Sequence, residues 1–123
     1  MKKKILVVDD DVILLKLMER SAQIFGEDLH LITVADAKTG LQTFLETDID
    51  LVISDNNMPG MSGLEMIKAI RAIDPILPIM IFSGGLNNYQ YREIQGLHIQ
   101  RMLEKPLPPS QLFQEIRDVL GRQ

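Results

Sequence analysis

The sequence predicts an α/β domain built as a doubly wound five-stranded parallel sheet. Three observations carry that expectation: five short apolar runs rich in branched residues, helical spacing between them, and polar residues gathered where the runs end. The runs are Ile5–Val8, Leu31–Val34, Leu51–Ser54, Ile79–Phe82 and Ile99–Leu103. Each is too short for an independent helix, so they read as strands, four of them buried on both faces. The intervening stripes, Leu14, Leu17, Met18, Ala22 and Phe25, then Leu41, Phe44 and Leu45, and finally Leu112, Phe113, Ile116, Val119 and Leu120, predict core-facing sides of amphipathic helices. A third helix is expected to start at Ser62, which stands at capping-box spacing from Glu65, and to run toward Ile73, where Asp74-Pro75 ends it. After Phe82 the residues Gly84, Gly85, Asn87 and Asn88 disfavour regular structure, so the fourth helix is expected to be short, late to start or mobile. Pro108-Pro109 reads as the lead-in to the fifth, since proline is tolerated in a first helical turn. Strand followed by helix five times over requires crossover connections, and therefore a parallel sheet with helices on both faces.

Size and charge narrow the function classes. A chain of 123 residues is expected to form one domain, 1–123, large enough to bury roughly two thirds of the surface its unfolded form exposes. Thirteen Lys plus Arg against seventeen Asp plus Glu give a net charge of −4, without the basic footprint of a nucleic-acid binder, so no direct nucleic-acid partner is expected. The absence of cysteine excludes disulfides, Cys-ligated zinc and a thiol nucleophile. Lys2 to Lys4 precede four apolar residues, but Asp9, Asp10 and Asp11 follow at once, which no export signal would carry. No stretch approaches the roughly 20 apolar residues of a membrane span. A cytoplasmic protein with no membrane association is the expectation.

In doubly wound sheets ligands bind at the carboxyl ends of the strands, near the point where strand order reverses. Strand one ends in Asp9, Asp10 and Asp11, strand three in Ser54-Asp55, strand four in Ser83, and strand five in Glu104-Lys105-Pro106. If Asp9, Asp10 and Asp55 converge at separations of about 5 Å, each pair repels by roughly 3 kcal/mol at an effective dielectric near 20. A cation must then share the pocket. Oxygen-only ligands favour Mg²⁺, which accepts one or two carboxylates plus a phosphate, and Lys105 adds a further positive charge. Such a neutralised pocket suits phosphoryl transfer to Asp55, with Ser83 and Lys105 as donors to the phosphoryl oxygens. Asp11 reads more simply as a helix N-cap, Met58-Pro59-Gly60 as a tight turn, and Lys2 to Lys4 as a solvated terminus; His30 and His98 receive no role.

Four motifs taken together, Ile5 to Asp11, Ser54 to Gly63, Phe82-Ser83-Gly84 and Lys105-Pro106, strongly resemble the receiver (response-regulator) domain family of two-component signalling, from Lys3 to Leu120. The resemblance implies the flavodoxin-like strand order 2-1-3-4-5 and five flanking helices. It implies that Asp55 is the phosphoacceptor, that Asp10 and Asp55 with the Asn57 main-chain carbonyl hold Mg²⁺ while Asp9 assists through water, and that Ser83 and Lys105 contact the phosphoryl group. A cis Lys105–Pro106 peptide is implied as well. So are a phosphoryl donor that is a histidine kinase or histidine phosphotransfer protein, and chemistry that acts on the domain itself, so that it is a switch and not an enzyme in the ordinary sense. An output protein or domain is expected on the face of helix four, strand five and helix five, near Tyr89, Tyr91, Arg101 and Leu107, with the chain a monomer or a phosphorylation-linked dimer.

One position departs from the family pattern. Met102 stands where most members carry a rotating Tyr or Phe, so coupling from Ser83 to the outer face is expected to be weaker or carried by the loop from Gly84 to Asn88. With so little stiffness there, inactive and active forms are expected to differ by only about 1–2 kcal/mol. The competing enzyme reading is a Mg²⁺-dependent phosphatase of the haloacid-dehalogenase type. It needs a second Asp two residues after the nucleophile, and Asn57 occupies that place. A nucleotide-binding Rossmann module is disfavoured because no glycine-rich phosphate loop follows strand one.

Overall fold

The computed structural model describes residues 2–121. Strands and helices alternate: β1 (Lys3–Val8), α1 (Val12–Phe25), β2 (Leu29–Val34), α2 (Ala37–Glu46), β3 (Leu51–Ser54), α3 (Gly63–Ile73), β4 (Ile79–Ser83), α4 (Asn88–Ile94), β5 (Arg101–Glu104) and α5 (Pro109–Leu120). All strands pair in parallel in one sheet of order β2-β1-β3-β4-β5. Strand order reverses beside β1, so the crevice for a ligand opens above the ends of β1 and β3.

The alternation of strand side chains divides the core into two layers. Ile5, Val7, Leu51, Ile53, Met80 and Phe82 pack under α1 and α5, against Leu15, Met18, Phe113 and Ile116. Leu6, Val8, Val52, Ile79 and Ile81 pack on the other side against Ala37 of α2, Met66, Ile67 and Ile70 of α3, and Ile94 of α4. Three strands, β3, β4 and the inner part of β1, are buried on both faces, not four, because β2 and β5 are the sheet edges and keep half-exposed or exposed residues.

Caps fix where the helices begin. The Asp11 carboxylate accepts from the N–H groups of Ile13 and Leu14, both at 3.1 Å, and Asp36 accepts from Thr39 N–H at 2.7 Å. Ser62 and Glu65 close the expected capping box on α3, and Asn87 and Gln90 close a second one on α4. The fourth helix is indeed short and late. Of the stripe expected on α1, Met18 is buried and Leu14 and Ala22 pack against the core, with Leu15 and Ser21 buried beside them; Phe25 is exposed but meets the Phe113 ring at 6.4 Å, and Leu17 alone points away. Val12 to Leu15 and Leu17 offer apolar residues on more than one face, and only packing against α5 and the sheet selects between them. On α2, Leu41 and Phe44 are partly buried, while Leu45 is exposed; the close contact is made by Ala37 and Gly40.

The fifth strand starts two residues later than its apolar run predicts. Gly96 and His98 both have positive φ, at 85° and 54°, so the chain is still turning at Ile99. Arg71, at the end of α3, holds this turn: its guanidinium donates to the carbonyls of Leu97 at 2.6 Å, His98 at 2.9 Å and Asp74 at 3.1 Å. Partial burial depresses the Arg71 pKa, with the Asp74 charge opposing the shift. No helix among the described residues is long and apolar enough to cross a membrane.

Two outcomes are expected from this packing. A Cβ at Gly63 would lie 2.0 Å from the Asp55 carbonyl oxygen and 2.7 Å from Ser54 Oγ, so Gly63→Ala must push the start of α3 off the end of β3. We expect a loss of about 1–3 kcal/mol in urea unfolding, and an unchanged midpoint would contradict it. Arg71→Lys keeps the charge but loses the planar fork, and should cost about 1–2 kcal/mol with faster amide exchange at residues 97–101. Unchanged exchange there would show that the turn holds without Arg71.

Candidate functional site

The ends of β1, β3, β4 and β5 deliver the polar groups of the crevice. Asp9 follows β1, and its N–H donates to Val34 O at 3.1 Å; Asp55 follows β3, and its N–H donates to Val8 O at 2.9 Å. These continuations of the sheet ladder set both carboxylates side by side. Asp9 and Asp55 are buried, whereas Asp10 is exposed. Carboxylate oxygens of Asp9, Asp10 and Asp55 lie within 4.8 Å of one another. Oxygen donors of this number and proximity fit a hard metal ion.

Lys105 arrives from the far edge of the sheet. Its N–H donates to Ser83 O at 2.8 Å, tying the end of β5 to the end of β4, and the Lys105–Pro106 peptide is cis. Its ammonium donates to Asp9 Oδ2 at 2.6 Å and to Asp55 Oδ2 at 3.4 Å, so in this state the closer partner is Asp9. The Nζ also lies 5.6 Å from the centroid of the Phe82 ring, which forms part of the floor. Burial pushes the Asp9 carboxyl above its ordinary range, against the hydrogen bonds from Lys105 and from Asp11 N–H that pull it down. For Lys105, partial burial works against the charge, but the hydrogen bond to Asp9 and the fields of Asp9 and Asp55 outweigh it and hold the pKa above the usual lysine value.

The loop after Asp55 is built by two asparagines. Asn56 accepts through its main-chain carbonyl from Met58 N–H at 3.2 Å and Gly63 N–H at 3.3 Å, while its side-chain oxygen accepts from Leu64 N–H at 3.0 Å in the first turn of α3. The Asn57 N–H donates to Asp55 Oδ1 at 3.3 Å. Its side-chain amide donates to Ser83 Oγ and to Gly85 O, each at 3.3 Å, and accepts from Gln90 Nε2 at 3.4 Å.

The sequence-predicted residues Asp9, Asp10, Asp55 and Lys105 therefore meet directly, while Ser83 joins them through the Asn57 side chain. The parts that sequence reasoning missed are Asn56 as organiser of the loop and Gln90 as a partner of Asn57. The capping-box spacing of Asn87 and Gln90 was a legible signal for the second. Met102, on β5, is 45% exposed, and beside it a cavity of about 240 Å³ is bounded by Ser83, Gly85, Leu86 and Tyr91.

Comparison with known proteins agrees with this geometry. The chain is 35% identical over 116 residues to the putative two-component response regulator ARR21 of Arabidopsis thaliana, covering 91% of this chain but 18% of that protein. It is 31% identical to the transcriptional regulatory protein GlrR of Escherichia coli, covering 94% of this chain and 26% of the relative. The chain thus spans only a small part of these curated relatives. The chemotaxis protein CheY-3 of Vibrio cholerae matches at 26% identity over 97% of this chain and 92% of its own. Among solved structures, Vibrio cholerae CheY4 superposes with a TM-score of 0.86 at 27% identity, covering 97% of this chain and 99% of that one. A CheY-like receiver domain from Methanospirillum hungatei shares the fold with a TM-score of 0.92 at 22% identity, covering 99% and 96% of the two chains. The family model described as the response regulator receiver domain matches residues 5–117, and to that family the chain belongs.

Proposed function

We propose that the chain is a phosphorylation-dependent switch of a two-component phosphorelay in which Asp55 accepts the phosphoryl group. The observation that carries this reading is the pairing of two buried strand-end carboxylates, Asp9 and Asp55, by the single ammonium of Lys105. A histidine kinase or a histidine phosphotransfer protein is the proposed donor. One Asp55 carboxylate oxygen attacks phosphorus, the bond from phosphorus to the donor imidazole nitrogen breaks, and its electron pair leaves with that nitrogen. Lys105, already within reach of Asp55, neutralises one phosphoryl oxygen, and the Ser83 hydroxyl donates to another. Mg²⁺, held by Asp10, Asp55 and the Asn57 main-chain carbonyl with Asp9 assisting through water, would supply the remaining charge neutralisation. Water attack at phosphorus later breaks the new bond, regenerating the Asp55 carboxylate and releasing inorganic phosphate. Chemistry of this kind resets the protein itself and turns over no separate substrate. Output is proposed through the face of α4, β5 and α5, where Tyr89 and Tyr91 are exposed.

The phosphatase reading is disfavoured by Asn57. A carboxamide cannot serve as the general acid that such an enzyme needs, and this one is engaged with Ser83, Gly85 and Gln90.

Incubation with Mg²⁺ and a small acyl phosphate should add one phosphoryl group to the wild type and none to Asp55→Asn, as read by intact-mass spectrometry. Equal labelling of both proteins would refute Asp55 as the acceptor. Asp10→Ala should weaken Mg²⁺ binding at least about tenfold, as removal of a direct ligand does, whereas Asp11→Ala should cost about 1 kcal/mol of stability through the lost cap and leave affinity nearly unchanged. Matched metal affinities of the two variants would overturn the division of roles.

A further inference from the structure

We infer that Gln90 is a positioning residue for the phosphorylation site: acting through Asn57, it holds the loop from Ser83 to Gly85 in the resting arrangement. The inference rests on the reading of Asp55 as phosphoacceptor. Its physical basis is the saturated Asn57 side chain, whose amide hydrogens go to Ser83 Oγ and Gly85 O and whose oxygen accepts from Gln90. The same Gln90 side chain accepts from Asn87 N–H at 2.9 Å, closing the capping box that starts α4. One glutamine therefore joins the beginning of α4 to the residue two places beyond Asp55.

The direction of the effect follows from position. Asn57 Nδ2 donates to Ser83 Oγ at 3.3 Å, already at the long end of hydrogen-bond distances. The hydroxyl can accept from Asn57 and donate to a phosphoryl oxygen at once, but movement of Ser83 toward a phosphoryl group on Asp55 would stretch the Asn57 contact further, so the tie favours the resting arrangement. All three Asn57 side-chain bonds, at 3.3–3.4 Å, are longer than the common N–H···O distance, which suits contacts that open readily. Gly84 and Gly85 meet no steric wall, because a Cβ at either would have no atom within 4 Å and the 240 Å³ cavity lies beside Gly85. Elsewhere α4 is anchored by buried Ile94 at its end and by the Lys68–Glu93 ion pair, leaving its first turn to the asparagine and glutamine pair.

Two variants separate this role from simple helix capping. Gln90→Met removes both the cap and the tie to Asn57. Asn87→Ala removes the other half of the capping box, the acceptor for Gln90 N–H, and leaves the tie in place. Without any phosphoryl mimic, Gln90→Met should shift the NMR signals of the Asn57 side-chain NH₂ and of the Ser83 and Gly85 amides, and Asn87→Ala should leave them near their wild-type positions. In Mg²⁺ and beryllofluoride, Gln90→Met should bind the mimic about three- to tenfold more tightly than wild type, since the lost tie to Asn57 belongs to the resting form whereas the lost cap weakens α4 in both forms. Equal behaviour of the two variants, or an unchanged or weaker affinity in Gln90→Met, overturns the inference alone. A wild type that does not bind the mimic overturns the phosphoacceptor reading and this inference with it.

Discussion

Two carboxylates placed side by side in a poorly solvated crevice repel each other, and the protein is organised around relieving that repulsion with a lysine. Asp9 and Asp55 are held together by the pairing of β1 with β3, and their N–H groups continue the ladder, Asp55 to Val8 O of β1 and Asp9 to Val34 O of β2. Neither can move away without breaking the sheet. The Lys105 ammonium relieves part of that repulsion, yet it is brought by the strand at the edge of the sheet, so β4 and β5 must be in register before the crevice has its ammonium. A buried charged group that lost this partner would face its desolvation penalty alone, which is large compared with the net stability of a domain. Fold and site are therefore one electrostatic problem, solved once.

The approach of α3 to the end of β3 is the second constraint. Gly63 lets the first turn of α3 lie against the Asp55 carbonyl, and Asn56 then stitches loop and helix together from both its main chain and its side chain. These contacts set the geometry of the backbone on which Asp55 and Asn57 sit, and so decide how the carboxylate faces Lys105. Rigidity on this side contrasts with the neighbouring loop from Ser83 to Asn87, where two glycines and side-chain hydrogen bonds at ordinary or long distances do the holding. The two walls of the pocket are thus held by different kinds of contact.

Much of this was legible in the residues themselves. Asp9, Asp10, Asp55 and Lys105 could be read because chemistry confined to strand ends leaves carboxylates and a lysine at positions where a buried run stops. Asp11 and Ser62 were readable as local capping geometry or spacing, which does not depend on the rest of the fold, whereas Asn87 reads as a breaker of structure and caps α4 instead. The burial of Leu15 in place of Leu17 was not, since apolar residues from Val12 to Leu17 present two possible faces and the choice belongs to α5 and the sheet. Nor was the late start of β5, because Ile99 is apolar and the positive φ at Gly96 and His98, with Arg71 bound to the carbonyls of Leu97 and His98, keeps it out of the strand. The partners of the Asn57 side chain were hidden for a similar reason: they all come from residues 83–90, across the crevice from Asn57, and no local pattern around Asn57 points to them.

The ion pair between Lys105 and Asp9 joins residues 96 positions apart, and the pair between Arg117 and Asp28 spans 89. Closing such distances is entropically late, because long loops are ordered only after nearer contacts have formed. A chain emerging from synthesis holds Asp9, Asp10 and Asp55 well before it holds Lys105. In that interval the acidic residues stand open to water without their cation, and the crevice does not yet exist as a site. The crevice is thus closed only when the last strand joins the sheet, since it draws Asp9 from the end of the first strand and Lys105 from the end of the fifth.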